Sequence, residues 1–340
     1  MYDLKNLEGL HILVAPLNWG LGHATRSAAL IERLRIKNTI SLASDGLAYE
    51  WMKREFPDLP IFRLNATEIT YKRKAMWQNA IIQLPVVLDG IRKDRREVDR
   101  LTDRIRPNLI ISDHRLGFYS RKVKSVLLAH QLYIPHRNLL LAKVFSYFQK
   151  TLIGRFDECW VPDYGDGRLS GQLSSLSLSI NKKFIGPLSH LESDLDNKNK
   201  YDLSIVLSGP EPQRSNLEEK ILTYLDTERI GRIALVRGTN IERSENIPRC
   251  IDVYDLLDSK EVGRVIRSSQ VILCRSGYST VMDLSMLQKK AIFVPTPNHP
   301  EQEYLAAKHR KESHAKVIAQ SDISHNSVNS AVEQLLNVSK

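Results

Sequence analysis

VILCRSGYSTVMDLSMLQKKAIFVPTPNHPEQE, residues 271–303, reads as a strand, a glycine turn, a helix, a second strand and a polar loop. Val271-Ile272-Leu273-Cys274 is a short apolar run of the kind that a strand buried on both faces requires. Ser276-Gly277-Tyr278-Ser279-Thr280 breaks the run and supplies residues that start helices. Asp283 lies about one turn into that helix. Ala291-Ile292-Phe293-Val294-Pro295 is the next strand, and Asn298-His299-Pro300-Glu301-Gln302 follows its carboxyl end. A helix start beside a strand's carboxyl end offers unbonded N–H groups and a positive dipole end, which suit an anion. Asp283, Glu301 and Gln302 add acceptors for hydroxyl groups. Phosphate-binding donors next to hydroxyl-binding acceptors point to a nucleotide-sugar.

The same alternation runs outward through the chain. His11-Ile12-Leu13-Val14-Ala15-Pro16 is a buried-type strand, Asn18-Trp19-Gly20-Leu21-Gly22-His23 a glycine loop, and residues 24–34 a helix with Ala28, Leu30, Ile31 and Leu34 near a 3.6 period. Further strands are expected at 39–43, 61–64, 109–113, 126–129, 158–162 and 183–187, with 77–105 mostly helical and interrupted near Pro85. Residues 189–200 are polar, charged and aperiodic, and read as an interdomain linker. The second half carries strands at 203–207, 233–236, 251–253, 271–274 and 292–294. Strands alternating with helices imply parallel sheets with right-handed crossovers. The expected fold is α/β: two Rossmann-like, doubly wound domains, 1–188 and 201–340, facing across a cleft, with a last helix able to pack back on the first. A length of 340 residues suits two such domains better than one. Ligands should then sit at the strands' carboxyl ends.

Composition narrows the classes. With 42% hydrophobic and 26% charged residues the chain is an ordinary globular sequence, not a disordered one. Its longest apolar runs are well short of the ~18–20 residues that cross a bilayer, and no secretory signal is visible at the N-terminus. Cys159, Cys250 and Cys274 are odd in number and scattered, with neither metal spacing nor a disulfide framework, which suits the reducing cytoplasm. The net charge of +10 is concentrated: residues 71–150 hold 17 Lys/Arg against six Asp/Glu. Such a region can meet nucleic acid, anionic lipid or an anionic substrate, or serve only as a solvated face. No recognition motif or aromatic platform accompanies the charge, so nucleic acid is not expected as a partner.

Gly20-Leu21-Gly22-His23-Ala24-Thr25 invites a dinucleotide reading, since it follows a strand, opens a helix and has Asp45 at the end of the next strand. Thr25, however, holds the third glycine position, where close helix–strand packing wants the smallest residue. No P-loop lysine follows either glycine cluster, which argues against a Walker-type kinase or ATPase. His23 lies at a strand's carboxyl end, and histidine is the residue type suited to take a proton from an acceptor hydroxyl near neutral pH; it can equally cap its helix. Asp113 ends another strand of the same sheet. It could orient the imidazole, or instead cap a helix or pair with Arg115.

These residues resemble the inverting GT-B glycosyltransferases, family 28 in particular, a group that includes the peptidoglycan lipid-intermediate N-acetylglucosaminyltransferase and the diacylglycerol glucosyltransferases. Gly20-Leu21-Gly22-His23-Ala24-Thr25-Arg26 is similar to that family's N-terminal glycine–histidine loop. Cys274-Arg275-Ser276-Gly277 through Asp283 to Glu301-Gln302 is similar to its nucleotide-sugar motif. The resemblance implies His23 as base, with Asp113 behind it, and Gly22 where the donor approaches the loop. Ser276, Gly277, Ser279 and Thr280 would bracket the diphosphate. Asp283 stands where the family usually has a glutamate on the ribose hydroxyls, and Glu301 and Gln302 would hold the donor sugar. Val253 and Tyr254, in Asp252-Val253-Tyr254-Asp255-Leu256, would lie in the loop that reads uracil through its backbone. Gly209 and Arg214 would lie near the phosphates, Arg214 offsetting leaving-group charge and Arg275 serving structure.

The implied chemistry is direct displacement at the anomeric carbon with inversion, without cofactor and, for want of an Asp-x-Asp motif in a strand-end context, without metal. Other chemistries open to such a chain are a nucleotide-sugar epimerase or hydrolase and a non-catalytic nucleotide-sugar-binding subunit. For the acceptor, Lys72-Arg73-Lys74 precedes the apolar Ala80-Ile81-Ile82, and Leu141, Phe145, Phe148 and Leu152 share one helical face near Lys143 and Lys150. Basic residues beside apolar faces suit peripheral attachment to an anionic inner leaflet and a lipid-linked acceptor, although such faces also commonly pack on a core.

Overall fold

Alternation along β1 (His11–Pro16) sets the architecture of the first half. Ile12 and Val14 face one core and Leu13 and Ala15 the other, and all four are fully buried. A strand apolar on both sides must be covered by helices on both sides. Here α1 (Leu21–Leu34) and α2 (Gly46–Glu55) cover the first face through Ala24, Ala28, Ile31 and Met52. On the second, α3 (Leu84–Ile105) packs Val98 and Leu101. The small alanines at 24 and 28 let α1 approach the sheet closely, and each buried large aliphatic contributes about 1.5–3 kcal/mol.

The computed structural model describes residues 4–18, 21–65, 84–133, 139–189, 191, 199–209, 211–239, 241–242 and 247–337. The chain divides into two units, Met1–Leu188 and Ser189–Lys340. The first unit is a seven-stranded parallel sheet ordered β3-β2-β1-β4-β5-β6-β7. Its further strands are β2 (Thr39–Ser44), β3 (Ile61–Arg63), β4 (Leu109–Asp113), β5 (Lys124–Leu128), β6 (Glu158–Val161) and β7 (Asn181–Phe184). A fourth helix, α4 (Leu139–Ile153), joins β5 to β6. Chain order reverses between β1 and β4, which pair in register from Ile12↔Leu109 to Pro16↔Asp113.

The second unit is a six-stranded parallel sheet ordered β10-β9-β8-β11-β12-β13. These strands are β8 (Tyr201–Val206), β9 (Ile233–Val236), β10 (Ile251–Tyr254), β11 (Ser269–Cys274), β12 (Lys290–Phe293) and β13 (Ala315–Val317). Its helices are α5 (Gln213–Tyr224), α6 (Thr227–Ile230), α7 (Ser259–Arg267), α8 (Tyr278–Met286), α9 (Pro300–His309) and α10 (His325–Asn337). Order reverses between β8 and β11, which pair as far as Val206↔Cys274. Crevices outside strand carboxyl ends at such reversals are where open α/β sheets bind ligands.

Pro85 is the second residue of α3 as described, where its missing N–H costs nothing, and the part of the expected helix before Leu84 lies outside the described residues. The segment 66–83, with the Lys72-Arg73-Lys74 stretch and Ala80 to Ile82, lies outside the described residues, as do Trp19 and Gly20. Most of the expected linker does too, but Leu191 is 5% exposed and packs at Gly263 of α7, where an added Cβ would stand 2.9 Å from its Cδ2. The last helix, α10, packs within its own unit on α5, α6, β11 and β12. On α4, Leu152 is buried, while the outward apolar residues are Val144 (62%), Tyr147 (75%) and Phe148 (39%); the side chain of Leu141 is outside the description. No described helix is long and apolar enough to cross a membrane.

Candidate active site

The pairing of Pro16 with Asp113 puts the end of β4 beside the loop that leads into α1. The Leu17 N–H donates to the Asp113 carbonyl at 3.0 Å and holds that loop down. His23 is then the third residue of α1, and its Nδ1 lies 2.8 Å from Asp113 Oδ1. One turn on, Arg26 reaches the same carboxylate, through Nε to Oδ2 at 3.1 Å and through Nη2 to Oδ1. Ser27 Oγ donates to Oδ2 at 2.9 Å. Helical spacing therefore aims His23, Arg26 and Ser27 at one acid.

Asp113 is fully buried. Burial alone would raise its pKa, but the Arg26 charge, His23 and their hydrogen bonds outweigh it and hold the carboxyl well below the usual range. A carboxylate that stays ionised accepts the His23 Nδ1–H, which leaves the lone pair on Nε2. Arg26 Nη2 also lies 2.9 Å from His23 Nδ1, so guanidinium and imidazole share Oδ1. The remaining guanidinium arm, Nη1, donates to Nδ1 of the buried His130, just beyond β5, at 2.7 Å. His114, next to Asp113, completes the cluster with its ring centroid 5.4 Å from that of His23.

The carboxylate partners are sorted by place. Arg115, one alternative partner for Asp113, instead bonds Asp94 Oδ1 (2.6 Å) and Asp45 (3.3 Å). Asp45, the acid expected by a dinucleotide reading, is thus 4% exposed and committed to an ion pair. Ser27, His114 and His130 carry no motif of their own in the sequence, and Arg26 only closes the glycine–histidine loop. His114 and His130 lie just beyond strand carboxyl ends, while Arg26 and Ser27 stand in the second turn of α1.

In the second unit, Gly209 follows β8 and Ser276-Gly277 follows β11, at the ends of paired strands. Gly277 is the N-cap of α8 and no side chain caps the helix there. An added Cβ at either glycine would meet nothing within 4 Å, so both leave room for an approaching ligand. Gly209 also has φ +106°, which a larger residue would strain. Ser276 Oγ donates to the Gln302 carbonyl at 2.8 Å and ties α9 to the start of α8. Gln302 Oε1 accepts from the Thr296 N–H at 2.9 Å, while Glu301 precedes it in the first turn of α9. Ser279 and Thr280 are partly buried in the first turn of α8. Asp283, further along, has its pKa pushed up to about 7 by burial, partly opposed by a hydrogen bond from Ser189.

One assignment changes. Arg214 was expected near phosphates, but it is 3% exposed and its guanidinium is held by Glu211, Glu218, the Ser215 hydroxyl and the Arg237 carbonyl. Glu218 also binds Arg237, which bonds Asp255 at 2.8 Å. This alternating network positions the loops after β8 and β9. The Tyr254 carbonyl, a candidate for reading a base, accepts from the Arg237 N–H at 2.8 Å, and the Tyr254 hydroxyl pairs with that of Tyr201 at 2.9 Å. Val253 is a β10 residue in register with Leu235. Among the described residues Arg275 bonds only carbonyls, those of Val294, Pro295 and Gln213, and burial lowers its pKa to about 10.

Residues 239–340 match the family model described as the glycosyltransferase family 28 C-terminal domain. An uncharacterized glycosyltransferase of Methanosarcina acetivorans is 20% identical over 342 residues, 92% of this chain and 86% of that protein. Among solved structures, the kitacinnamycin glycotransferase superposes with a TM-score of 0.71 at 13% identity, covering 97% of this chain and 91% of the other. MurG of Acinetobacter baumannii gives 0.56 at 13%, covering 96% and 92%. TcCGT1 in complex with UDP gives 0.63 at 12%, covering 96% and 90%. Residues 239–340 of the second unit are thus similar to the glycosyltransferase family 28 C-terminal domain, and the chain as a whole shares the GT-B fold of these solved glycosyltransferases.

Proposed function

We propose that the protein transfers a hexose or N-acetylhexosamine from a UDP-sugar to an acceptor hydroxyl with inversion. The 2.8 Å contact between His23 and the buried Asp113, at the chain reversal of the first sheet, carries this reading. It supplies one base, and a single displacement needs only one: His23 Nε2 takes the proton as the acceptor oxygen attacks the anomeric carbon and the bond to UDP breaks. Asp113 keeps the imidazole oriented and stabilises the imidazolium.

Charge that builds on the departing diphosphate needs donors that are already in place. The start of α8, where Gly277 as N-cap leaves room for a ligand, fits that task and supports a reaction without metal. Arg214 drops out of this role because carboxylates occupy it. Asp283 remains the candidate for the ribose hydroxyls, and Gln302 with Glu301 for the sugar. UDP held by a protein of the same fold supports a uridine nucleotide as donor. The outward Val144, Tyr147 and Phe148, between the exposed Lys143 and Lys150, support peripheral contact with an anionic inner leaflet and a lipid-linked or envelope-glycan acceptor.

The test is calorimetric titration with a panel of UDP-sugars, followed by UDP release with lipid extracts as acceptor. His23→Ala should keep nucleotide affinity and lose transfer by about 10²–10⁴-fold. Full turnover in that variant would remove His23 as the base.

A further inference from the structure

His114 is an imidazole of this cluster to which the proposed chemistry assigns no task. Its backbone has φ +61°, a left-handed conformation that costs a non-glycine residue of order 1–3 kcal/mol. The turn is fixed by the His114 N–H, which donates to the Leu128 carbonyl at 3.2 Å. It swings the ring between His23, 5.4 Å away by centroid, and His130, 6.1 Å away. His23, Arg26, Ser27, Asp113 and His130 all have bonded polar side chains. The His114 ring has no hydrogen bond among the described residues, and its Nδ1 is buried without a partner.

Burial, reinforced by His23, His130 and Arg26, pushes the His114 pKa down to about 3. The ring is therefore neutral at any working pH and is a hydrogen-bonding group, not an acid or base. Of its two neutral tautomers, the one that leaves Nδ1 as a bare lone pair avoids burying an unbonded N–H. That tautomer carries its proton on Nε2. The residue as a whole is only partly buried, so the Nε2 edge is the one that a ligand can reach.

We propose that His114 is a specificity-determining residue whose Nε2–H bonds a second oxygen of the acceptor, beside the hydroxyl that His23 deprotonates. The substrate class is then a sugar or other polyol with neighbouring oxygens, rather than a lone alcohol or a phenol. The inference rests on the reading of His23 as the base. A site built to bond a particular oxygen rejects an analogue that lacks it, because its own polar group is left unpaired.

Propane-1,2-diol and propan-1-ol differ by that one oxygen. Full-length enzyme is given UDP-glucose with each alcohol in turn, and the glycosylated alcohol is quantified by mass spectrometry. The expected result is a preference for the diol of about tenfold or more, the equivalent of one hydrogen bond. His114→Phe keeps the ring but not the donor, and should reduce the preference to within twofold. His114→Gly, which accepts positive φ freely, should do the same. His114→Gln, with an N–H near the Nε2 position, should restore part of it. UDP affinity by calorimetry checks that each variant is folded. A wild type without the preference, including one that transfers to neither alcohol, overturns the proposal, as does a preference retained in both His114→Phe and His114→Gly. His23→Ala is measured in parallel: undiminished transfer there refutes the base, whereas its loss together with an indifferent His114→Phe refutes only the present inference.

Discussion

Replacing Asp283 by asparagine tests the acid in the donor region through its own titration. Burial raises its pKa from 3.8 to about 7. A carboxyl with a raised folded-state pKa favours folding fully below its unfolded value, and that advantage is lost as pH climbs through the folded one. Ionising Asp283 therefore opposes folding progressively from about pH 4 to pH 7. Roughly half of that three-unit shift acts between pH 5.5 and 8, which is at most about 2 kcal/mol. Partial exposure of the side chain and relaxation around it reduce this to about 1 kcal/mol. Asparagine keeps the shape and never ionises. The advantage of Asp283→Asn over wild type should then be larger at pH 8 than at pH 5.5 by about 2–4 °C in Tm, read by circular dichroism melts. Uridine, which lacks a titrating phosphate, gives the functional arm. Wild-type affinity should rise about tenfold over the same interval as the carboxylate forms and accepts the ribose hydroxyls, and the variant should show no such rise. An identical Tm difference at both pH values would refute the burial argument. A flat uridine affinity in wild type would refute the ribose assignment.

Gly277→Ala should fold normally, since φ is −71° and the new Cβ meets open space, yet weaken UDP binding about 10–100-fold by blocking approach to the α8 amides; calorimetry decides. Asp113→Ala leaves the Arg26 guanidinium buried without its carboxylate and should cost about 3–5 kcal/mol in urea unfolding. Adding Arg26→Met should recover part of that loss, and simple additivity would show that the two are not coupled. Tyr147→Ser with Phe148→Ser should abolish co-sedimentation with phosphatidylglycerol vesicles and leave UDP affinity unchanged; retained sedimentation would assign the α4 face another role.

Much of the fold was readable because buried parallel strands are nearly pure apolar runs. Ile12 to Ala15, Leu109 to Ile111 and Val271 to Cys274 could only be buried strands, and the helices between them follow from the parallel topology. Short edge elements were harder: β13 has three residues and no full period, so nothing in Ala315–Val317 separates it from a loop. His23 and Asp113 were visible at strand ends as chemistry-bearing residues beside glycines. That they meet at 2.8 Å depends on the register of β1 with β4, across 90 residues of chain.

The sequence by itself determined the alternation of strands and helices, the glycine openings after β8 and β11, and the acids and imidazole that stand at strand ends. These follow from local rules, namely apolar period, turn chemistry and helix starts, which act over a few residues. Tertiary structure alone decided which charges are available. It gave Arg214 to Glu218, Arg115 to Asp94 and Asp45, and Arg26 to Asp113, and it turned His114 toward His23. An ion pair in a buried site depends on distance and desolvation, and both are set by residues far apart in the chain that the sheet order brings together.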